Sequence, residues 1–362
     1  MIEDVRLDRL RLPLKEPYKL ALGTVADFDT ILARVVTNGR EGLGEATILT
    51  GYTDETIEGG WARAQLLLPR LPGSSTEAAK DMALRELADA PFTLTAFLSA
   101  IEMAEGHPLL KVAAAHGVPL LAGINATDPA GVEREIEAAI RAGYNTLKIK
   151  VGFDLDSDLK RVAFIQQCNG GRAKLRIDGN QGYGSDDGVR FAASISPESV
   201  ELLEQPCAAS DWVAAAAVTA VGNVPIMLDE SIYDLEDIKR AAKLGAAFVK
   251  LKLMKMGGLT RLAEGLQLIT NLGMQPVLGN GVASDLGCWM EACVARRHVN
   301  NAGEMNGFLR QRQFLAVTPM QVAGGKMHLR PGEALALDEA HIASARVAEA
   351  HTSVASKSRR MA

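Results

Sequence analysis

The chain holds only four cysteines in 362 residues, Cys168, Cys207, Cys288 and Cys293, and no Cys-x-x-Cys pair is among them. A disulfide framework is thereby excluded, and reduced thiols in a cytoplasmic protein are expected. A basic block is also missing. The 39 Lys and Arg against 44 Asp and Glu give a net charge of −5, and only Lys357, Arg359 and Arg360 crowd together. Nucleic acid is not expected as a partner, because binding it needs a basic face to neutralise phosphates. No run approaches the ~18 apolar residues of a membrane span, so no membrane partner is expected. Met1-Ile2-Glu3-Asp4 is acidic and lacks an apolar core, which predicts no signal peptide. What is present, 48% hydrophobic and 23% charged residues, is the composition of a globular enzyme.

The length suits two domains, or one large barrel with a smaller partner. Residues 1–60 read as a meander of strands: Val5–Leu10 partly alternates, and the β-branched run Thr30–Val36 ends at Asn38-Gly39. From Asp54 to His116 the pattern is helical, with breaks at Pro69, Pro72 and Pro91. From Val118 a short apolar run followed by a helical segment repeats about every 25 residues. The runs are Pro119–Ile124, Thr146–Val151, Lys174–Asp178, Val200–Glu204, Pro225–Asp229, Ala247–Leu253, Gln275–Leu278 and Ala302–Met305. Helices are expected between them, among them Gly131–Arg141, Asp211–Val221, Leu235–Lys243, Leu259–Leu272 and Ser284–Arg297. Alternation of this kind means parallel βαβ units, and eight of them close into a (β/α)8, or TIM, barrel of α/β class. An open doubly wound sheet is the competing fold, but no Gly-x-Gly-x-x-Gly follows a first strand. The expected division is an α+β domain over 1–117, the barrel over 118–320, and a C-terminal segment over 321–362. That segment holds a strand at Lys326–Leu329, and its last dozen residues are expected to fray.

Strand C-termini converge on the active site of a barrel. Here they end in charge: Lys148-Ile149-Lys150, Asp178-Gly179-Asn180, Glu204-Gln205, Asp229-Glu230 and Lys250-Leu251-Lys252, from the second strand to the sixth. Alternation puts Lys148 and Lys150 on one face, and likewise Lys250 and Lys252. The second and sixth strands lie four apart in a ring of eight, so their lysines oppose one another across the mouth. Asp178, Glu204 and Asp229, on neighbouring strands, converge and repel. A hard divalent cation relieves that repulsion, and oxygen donors alone favour Mg2+ over zinc, one ion per chain. Such a site suits removal of the proton α to a carboxylate, with the cation stabilising the enolate and a neutral lysine as base. The plainer reading makes the three acids helix N-caps, which is unremarkable singly and strained for all three together.

Taken in order, Lys148-x-Lys150, Asp178-x-Asn180, Leu203-Glu204-Gln205-Pro206, Leu228-Asp229-Glu230-Ser231 and Lys252-Leu-Met-Lys255-Met-Gly257-Gly258 resemble the enolase superfamily, and within it the muconate-lactonizing-enzyme subgroup. The resemblance implies Mg2+ on Asp178, Glu204 and Asp229, with Lys150 and Lys252 as the acid/base pair and Lys148 supporting Lys150. It implies an N-terminal capping domain completed by the end of the chain, with loops near Tyr18–Val25 and Thr50–Glu55 over the barrel mouth. A lysine on the sixth strand, and no histidine near Asn280, separate the chain from the mandelate-racemase subgroup. Dipeptide epimerases of the subgroup carry Asp-x-Asp at the eighth strand to hold a substrate amino group. This chain has Glu304-Met305-Asn306 instead, so Glu304 and Asn306 are candidates for substrate contact. Asn280, within Gly279-Asn280-Gly281 before a helix, is a third. Asn180 and Glu230 are expected to support the metal ligands from behind, although alternation turns Glu230 away from Asp229 toward an ion pair. Lys250 is expected deeper in the barrel as an ion-pair partner, and Lys255 in a loop. Asp154-x-Asp156-x-Asp158 lacks the glycine of a calcium loop and reads as a helix start.

The leading expectation is therefore a Mg2+-dependent isomerase, epimerase or cycloisomerase, acting on a small-molecule carboxylate, and enzymes of this kind often form symmetric homo-oligomers. A lyase or dehydratase would use the same enolate to expel a β-leaving group. A Schiff-base aldolase using Lys252 and a non-catalytic binding protein are more distant alternatives.

Overall fold

The computed structural model describes residues 1–20, 23–332 and 335–355. β1 (Ile2–Leu20), β2 (Gly23–Thr37) and β3 (Arg40–Thr47) form an antiparallel meander. In β1 the buried residues switch from Val5 and Leu7 to Leu10, Leu12 and Leu14. Beside that switch the register with the last strand of the chain shifts by one residue at Val347, while β1 and β2 stay in continuous register there. Three helices follow: α1 (Ile57–Leu67), α2 (Thr76–Glu86) and α3 (Pro91–Glu105), which Pro91 opens at its first position. The backbone of α3 lies directly on β3. A Cβ on Gly42 or Gly44 would stand 2.0 Å from the Ala100 carbonyl or 2.1 Å from that of Ala96.

After β4 (His116–Pro119), strands and helices alternate: β5 (Ala122–Ile124), α4 (Pro129–Arg141), β6 (Thr146–Lys150), α5 (Leu155–Asn169), β7 (Lys174–Asp178), α6 (Ser185–Ser194), β8 (Val200–Glu204), α7 (Trp212–Val221), β9 (Ile226–Leu228), α8 (Leu235–Leu244), β10 (Phe248–Leu251), the short α9 (Leu253–Met256), α10 (Leu259–Asn271), β11 (Gln275–Leu278) and α11 (Asp285–His298). β5 to β11 form one parallel sheet in chain order. Outward residues such as Leu147, Ile149, Leu175, Ile177, Leu203, Val249 and Leu251 are fully buried under the helices. Asp128, Asp154, Asp211 and Asp234 cap α4, α5, α7 and α8. The capping role considered for Asp178, Glu204 and Asp229 thus belongs to other acids, and Asp154 starts a helix as expected.

Two expected strands differ. Pro119–Ile124 is divided: β4 pairs with β13 (Lys326–Leu329), and only β5 joins the parallel sheet. Pro119 has no N–H with which to continue a ladder. Ala302–Met305 is no regular strand, yet its backbone links the two edges of the sheet. Glu304 N–H donates to the Leu278 carbonyl at 3.1 Å, and the Gly303 carbonyl accepts from Leu121 N–H at 3.1 Å. A Cβ on Gly279 would lie 2.3 Å from Glu304 N, so glycine is what lets the two chains approach.

β12 (Gln321–Ala323), β13 and β4 make a small antiparallel sheet. After α12 (Glu339–Ala345), β14 (Arg346–Ser353) returns to β1, giving the order β14-β1-β2-β3. His351–Ser353, expected to fray, are paired strand residues, while Lys357, Arg359 and Arg360 lie outside the described residues. Tyr18–Leu20 and Gly23–Val25 pair as strands of a hairpin where a loop was expected, and residues 21–22 lie outside the description. Among the described residues no helix is long and apolar enough to cross a membrane.

Candidate active site

Register places the first acids. β6, β7 and β8 align so that Lys150, Asp178 and Glu204 stand side by side at the strand ends. Asp229 follows β9, and Lys252 follows β10 at the threshold of α9. These ends open into a cavity of about 330 Å³ lined by Lys148, Lys150, Lys250 and Lys252 and by Asp178, Asp229, Glu230, Asn180, Asn280 and Glu304. Glu204 is fully buried just beneath it.

Lysine ammonium groups stand between the carboxylates. Lys148 Nζ lies 2.9 Å from both Asp178 Oδ2 and Glu204 Oε2, and Lys150 Nζ donates to Asp178 Oδ2 at 3.1 Å and to Asn180 Oδ1. Lys252 Nζ donates to both Asp229 oxygens at 2.8 Å, and it also bonds the Tyr52 hydroxyl. Lys250 meets Glu204 at 3.1 Å, Asp229 at 3.4 Å and Glu304 at 2.6 Å, the deep ion-pair role expected of it. With ammonium groups between the acids, no three His, Cys, Asp or Glu side chains are drawn together around one point among the described residues.

Other predicted residues are placed as follows. Glu230 does not turn away: the strand ends at Leu228, alternation stops there, and the Glu230 carboxylate accepts from Asn180 Nδ2 at 3.1 Å instead of making an ion pair. Asn180 itself sits at φ +41°, a left-handed conformation that asparagine tolerates better than most residues. Lys255 is not a loop residue. It is buried on α9, with Nζ donating to the Asp229 carbonyl at 2.6 Å. Gly279-Asn280-Gly281 does not open a helix, since α11 begins at Asp285 under a Ser284 cap; Asn280 Oδ1 accepts from Val282 N–H at 3.1 Å. Asn306 is not among the cavity's lining residues, and its amide lies 3.5 Å from the Leu121 carbonyl. Glu304 lines the cavity with both oxygens engaged, one by Lys148 and one by Lys250.

Sequence reasoning missed three residues. Tyr52 reaches in from the N-terminal part of the chain, its hydroxyl 3.3 Å from Asp229 Oδ1. Tyr233 fixes it by donating to the Tyr52 carbonyl at 2.7 Å. Gln205 is buried, and its Oε1 accepts from the Asp229 and Ser231 backbone at 3.0 and 3.2 Å, orienting the Asp229 turn. Gln205 had a signal in its place beside Glu204 in Leu-Glu-Gln-Pro, and Tyr52 lies in the Thr50–Glu55 segment expected over the mouth.

Burial pushes the Glu204 carboxyl up to about 7, with Asp178 adding repulsion and Lys148 and Lys250 opposing. For Asp178 burial acts in the same direction, but Lys148, Lys150 and Lys250 outweigh it and hold the group below its usual range. Burial and the Asp229 charge raise Glu230. The base was expected to be a neutral lysine, and for Lys252 the balance runs the other way. Burial does act downward, yet Asp229 and Glu230 outweigh it and raise the ammonium. The Asp229 carboxylate, which Lys250 and Lys255 also approach, favours the charged form of this lysine.

An α/β fold whose parallel strands end in opposed lysines around a row of acids defines a class of enzyme that works on carbanions next to carboxylates. The description of the enolase C-terminal domain-like family matches residues 131–341. The chain is 30% identical to the L-Ala-D/L-Glu epimerase of Clostridium acetobutylicum over 77% of its own length and 82% of the relative. It is 31% identical to the aromatic dipeptide epimerase of Herpetosiphon aurantiacus, over 81% and 86%. Three solved structures share the fold. The N-succinyl Arg/Lys racemase of Bacillus cereus superposes with TM-score 0.87 at 23% identity, covering 97% of this chain and 99% of that one. The dipeptide epimerase of Cytophaga hutchinsonii, complexed with Mg and D-Ala-L-Val, gives 0.86 at 21%, with the same coverage. The muconate lactonizing enzyme of Pseudomonas fluorescens, complexed with muconolactone, gives 0.84 at 25%, covering 95% and 99%. The chain belongs to the enolase superfamily, in its muconate-lactonizing-enzyme subgroup.

Proposed function

We propose that this enolase-superfamily isomerase abstracts the proton α to a substrate carboxylate, with Lys150 and Lys252 as the acid/base pair on opposite sides of the substrate. The observation that carries the reading is the pair itself: two lysines on separated strands of one sheet, each against its own carboxylate, lining one cavity. Whichever lysine faces the α-hydrogen takes the proton on Nζ, and the opposite Nζ returns one to the other face, which inverts the centre. Lys148 stays protonated beside Lys150 and supplies positive charge where negative charge grows on the substrate. Tyr52 and Asn180 orient the two working amines.

Asp178, Glu204 and Asp229 are the residues that would hold one Mg2+, with Asn180 and Glu230 behind them. Their chemistry fits a hard divalent cation. All donors are oxygens, Glu230 Oε2 is buried without a hydrogen bond, and the acids repel one another. When bound, the cation supplies charge stabilisation for the substrate carboxylate. We infer too that residues 302–304 complete an eight-membered ring, a closed (β/α)8 barrel, with the β14-β1-β2-β3 sheet as its cap.

The test is deuterium incorporation in D2O on dipeptides, N-acylamino acids and muconates, with Mg2+ or with EDTA. Gain of one mass unit that needs Mg2+ and disappears in Lys150→Ala and Lys252→Ala is expected. Exchange that survives EDTA would overturn the metal assignment, and exchange that survives both alanine variants would overturn the base assignment.

A further inference from the structure

The two amines that face one another across the cavity are held by different means. Lys150 belongs to a ladder. It stands opposite Asp178 in the pairing of β6 with β7, and the next N–H, that of Val151, donates to the Asp178 carbonyl at 2.9 Å. Lys252 has left the sheet. The pairing of β10 with β11 ends at Leu251 and that with β9 at Val249, so Lys252 becomes the residue that opens the one-turn α9. A helix start leaves N–H groups without partners, and a lysine side chain has no acceptor to give them. That of Lys252 is in any case spent on Asp229 and Tyr52.

Glu291 supplies the missing acceptor from another helix. It stands on α11, 1% exposed, and its Oε1 accepts from Leu253 N–H at 2.8 Å, the peptide group next to Lys252. Glu45 fixes the same stripe of α11 one and two turns earlier, through the N–H groups of Ser284 and Gly287. Glu45, Gly287, Glu291 and Leu253 line a cavity of about 10 Å³, room for no more than one water. Burial, with help from Glu45, pushes the Glu291 carboxyl up to about 8. Near neutral pH it therefore makes this hydrogen bond without adding another anion beside Lys252.

We propose that Glu291 is a positioning residue for Lys252: it fixes the peptide after that lysine and so aims Nζ at one face of the substrate, while Lys150, set by the sheet, does not depend on it. The proposal rests on the two-lysine reading above and deepens it. Removing the acceptor should cripple proton transfer at one face of the substrate and spare the other, since a displacement of about 1 Å can cost ~100-fold.

The experiment compares Glu291→Leu, which removes the acceptor at similar volume, Glu291→Asp, which shortens its reach, and Glu291→Gln, which keeps it. The full chain carries 13Cε-labelled lysine, and the NMR signals of Lys150 and Lys252 are identified by their loss in Lys150→Arg and Lys252→Arg. Glu291→Leu should shift or broaden the Lys252 signal and leave that of Lys150 in place, and Glu291→Gln should restore it. Should Glu291→Leu not fold, Glu291→Asp decides. In parallel, α-proton exchange in D2O with Mg2+ is followed on L-Ala-L-Glu, L-Ala-D-Glu and both enantiomers of N-succinylarginine. The epimer whose exchange Lys252→Ala abolishes should lose at least tenfold in kcat in Glu291→Leu, with KM within twofold. Its opposite should change less than threefold. A Lys252 signal that stays put, equal effects on both lysines or both epimers, or a loss that glutamine does not restore overturns the proposal. The two readings fail separately: absence of exchange from every probe in the wild type counts against proton abstraction, and the lysine signals then decide the positioning role alone.

Discussion

Single residues show how far charge can be hidden in this fold. Glu291 of α11 is buried behind Lys252, where it accepts from Leu253 N–H at 2.8 Å, the first residue of α9. It therefore anchors the turn that carries Lys252. Burial pushes its carboxyl from 4.5 up to about 8, against the Leu253 N–H and Lys252 and with help from Glu45, which is itself pushed up to about 7. The raised value means that the folded state keeps a proton that the unfolded chain has lost between those limits. The stability this group contributes is full below about pH 4.5 and falls as pH rises to about 8, by on the order of a few kcal/mol. Glu291→Gln keeps an oxygen for Leu253 and cannot ionise. Urea midpoints between pH 5 and pH 9 should therefore decline less in the variant, and parallel declines would refute the assignment. The charged strand ends were legible because each closes an apolar run, which marks both its strand and its face. Tyr52 and Lys255 were not. Tyr52 comes from a segment with no periodicity, and α9 is one turn long, too short to leave a pattern.

At the scale of elements, close approach and capping join the two parts of the chain. Glu45 on β3 accepts from the N–H groups of Ser284 and Gly287 at the start of α11, at 2.8 and 3.1 Å. Glu102 on α3 does the same for Leu259 and Thr260 of α10, at 2.6 and 3.0 Å. Each acid satisfies donors that a helix start leaves open, so the N-terminal sheet and α3 are fixed to the helices around the site. The fit of α3 on β3 depends on glycine. Gly44→Ala puts a methyl 2.1 Å from the Ala96 carbonyl, and backbone on both sides cannot yield. A loss of about 1–3 kcal/mol is expected in denaturant unfolding. Gly184→Ala, where nothing lies within 4 Å, serves as the control and should cost only the cap preference, about 0.5 kcal/mol. Equal effects at the two positions would show that the contact does not matter. The helices of the βα repeat were readable to within a residue or two from period and caps. The division of Pro119–Ile124 was not, since what splits it is β13, some two hundred residues away.

At the scale of the molecule, both ends of the described chain meet in one sheet. β14 covers the outer edge of β1, from Asp4 opposite Ser353 to Leu10 opposite Arg346. Arg346 Nε also donates to the buried Asp8 at 2.6 Å. A chain ending at Ala345 would leave that long edge bare and Asp8 with only Arg34 at 3.6 Å and Arg6 at 3.4 Å. Exposed edges pair with other chains. The truncated protein should unfold at a lower temperature and associate with rising concentration in light scattering, and behaviour matching the full chain would show that β14 is dispensable. The return of the chain to its first strand left little trace in the sequence, because Arg346–Ser353 alternates intermediate and exposed residues and buries none.

That pairing also sets an order of events on the ribosome. β1, β2 and β3 are made early, while β14 is made last, and at ~5–20 residues per second the interval between them is roughly 15–60 s. Throughout that time the first strand waits with one side open, in a crowded cell, while the strands that carry the lysines are still being made. Until β14 arrives, the outer edge of β1 is a surface for a chaperone to cover.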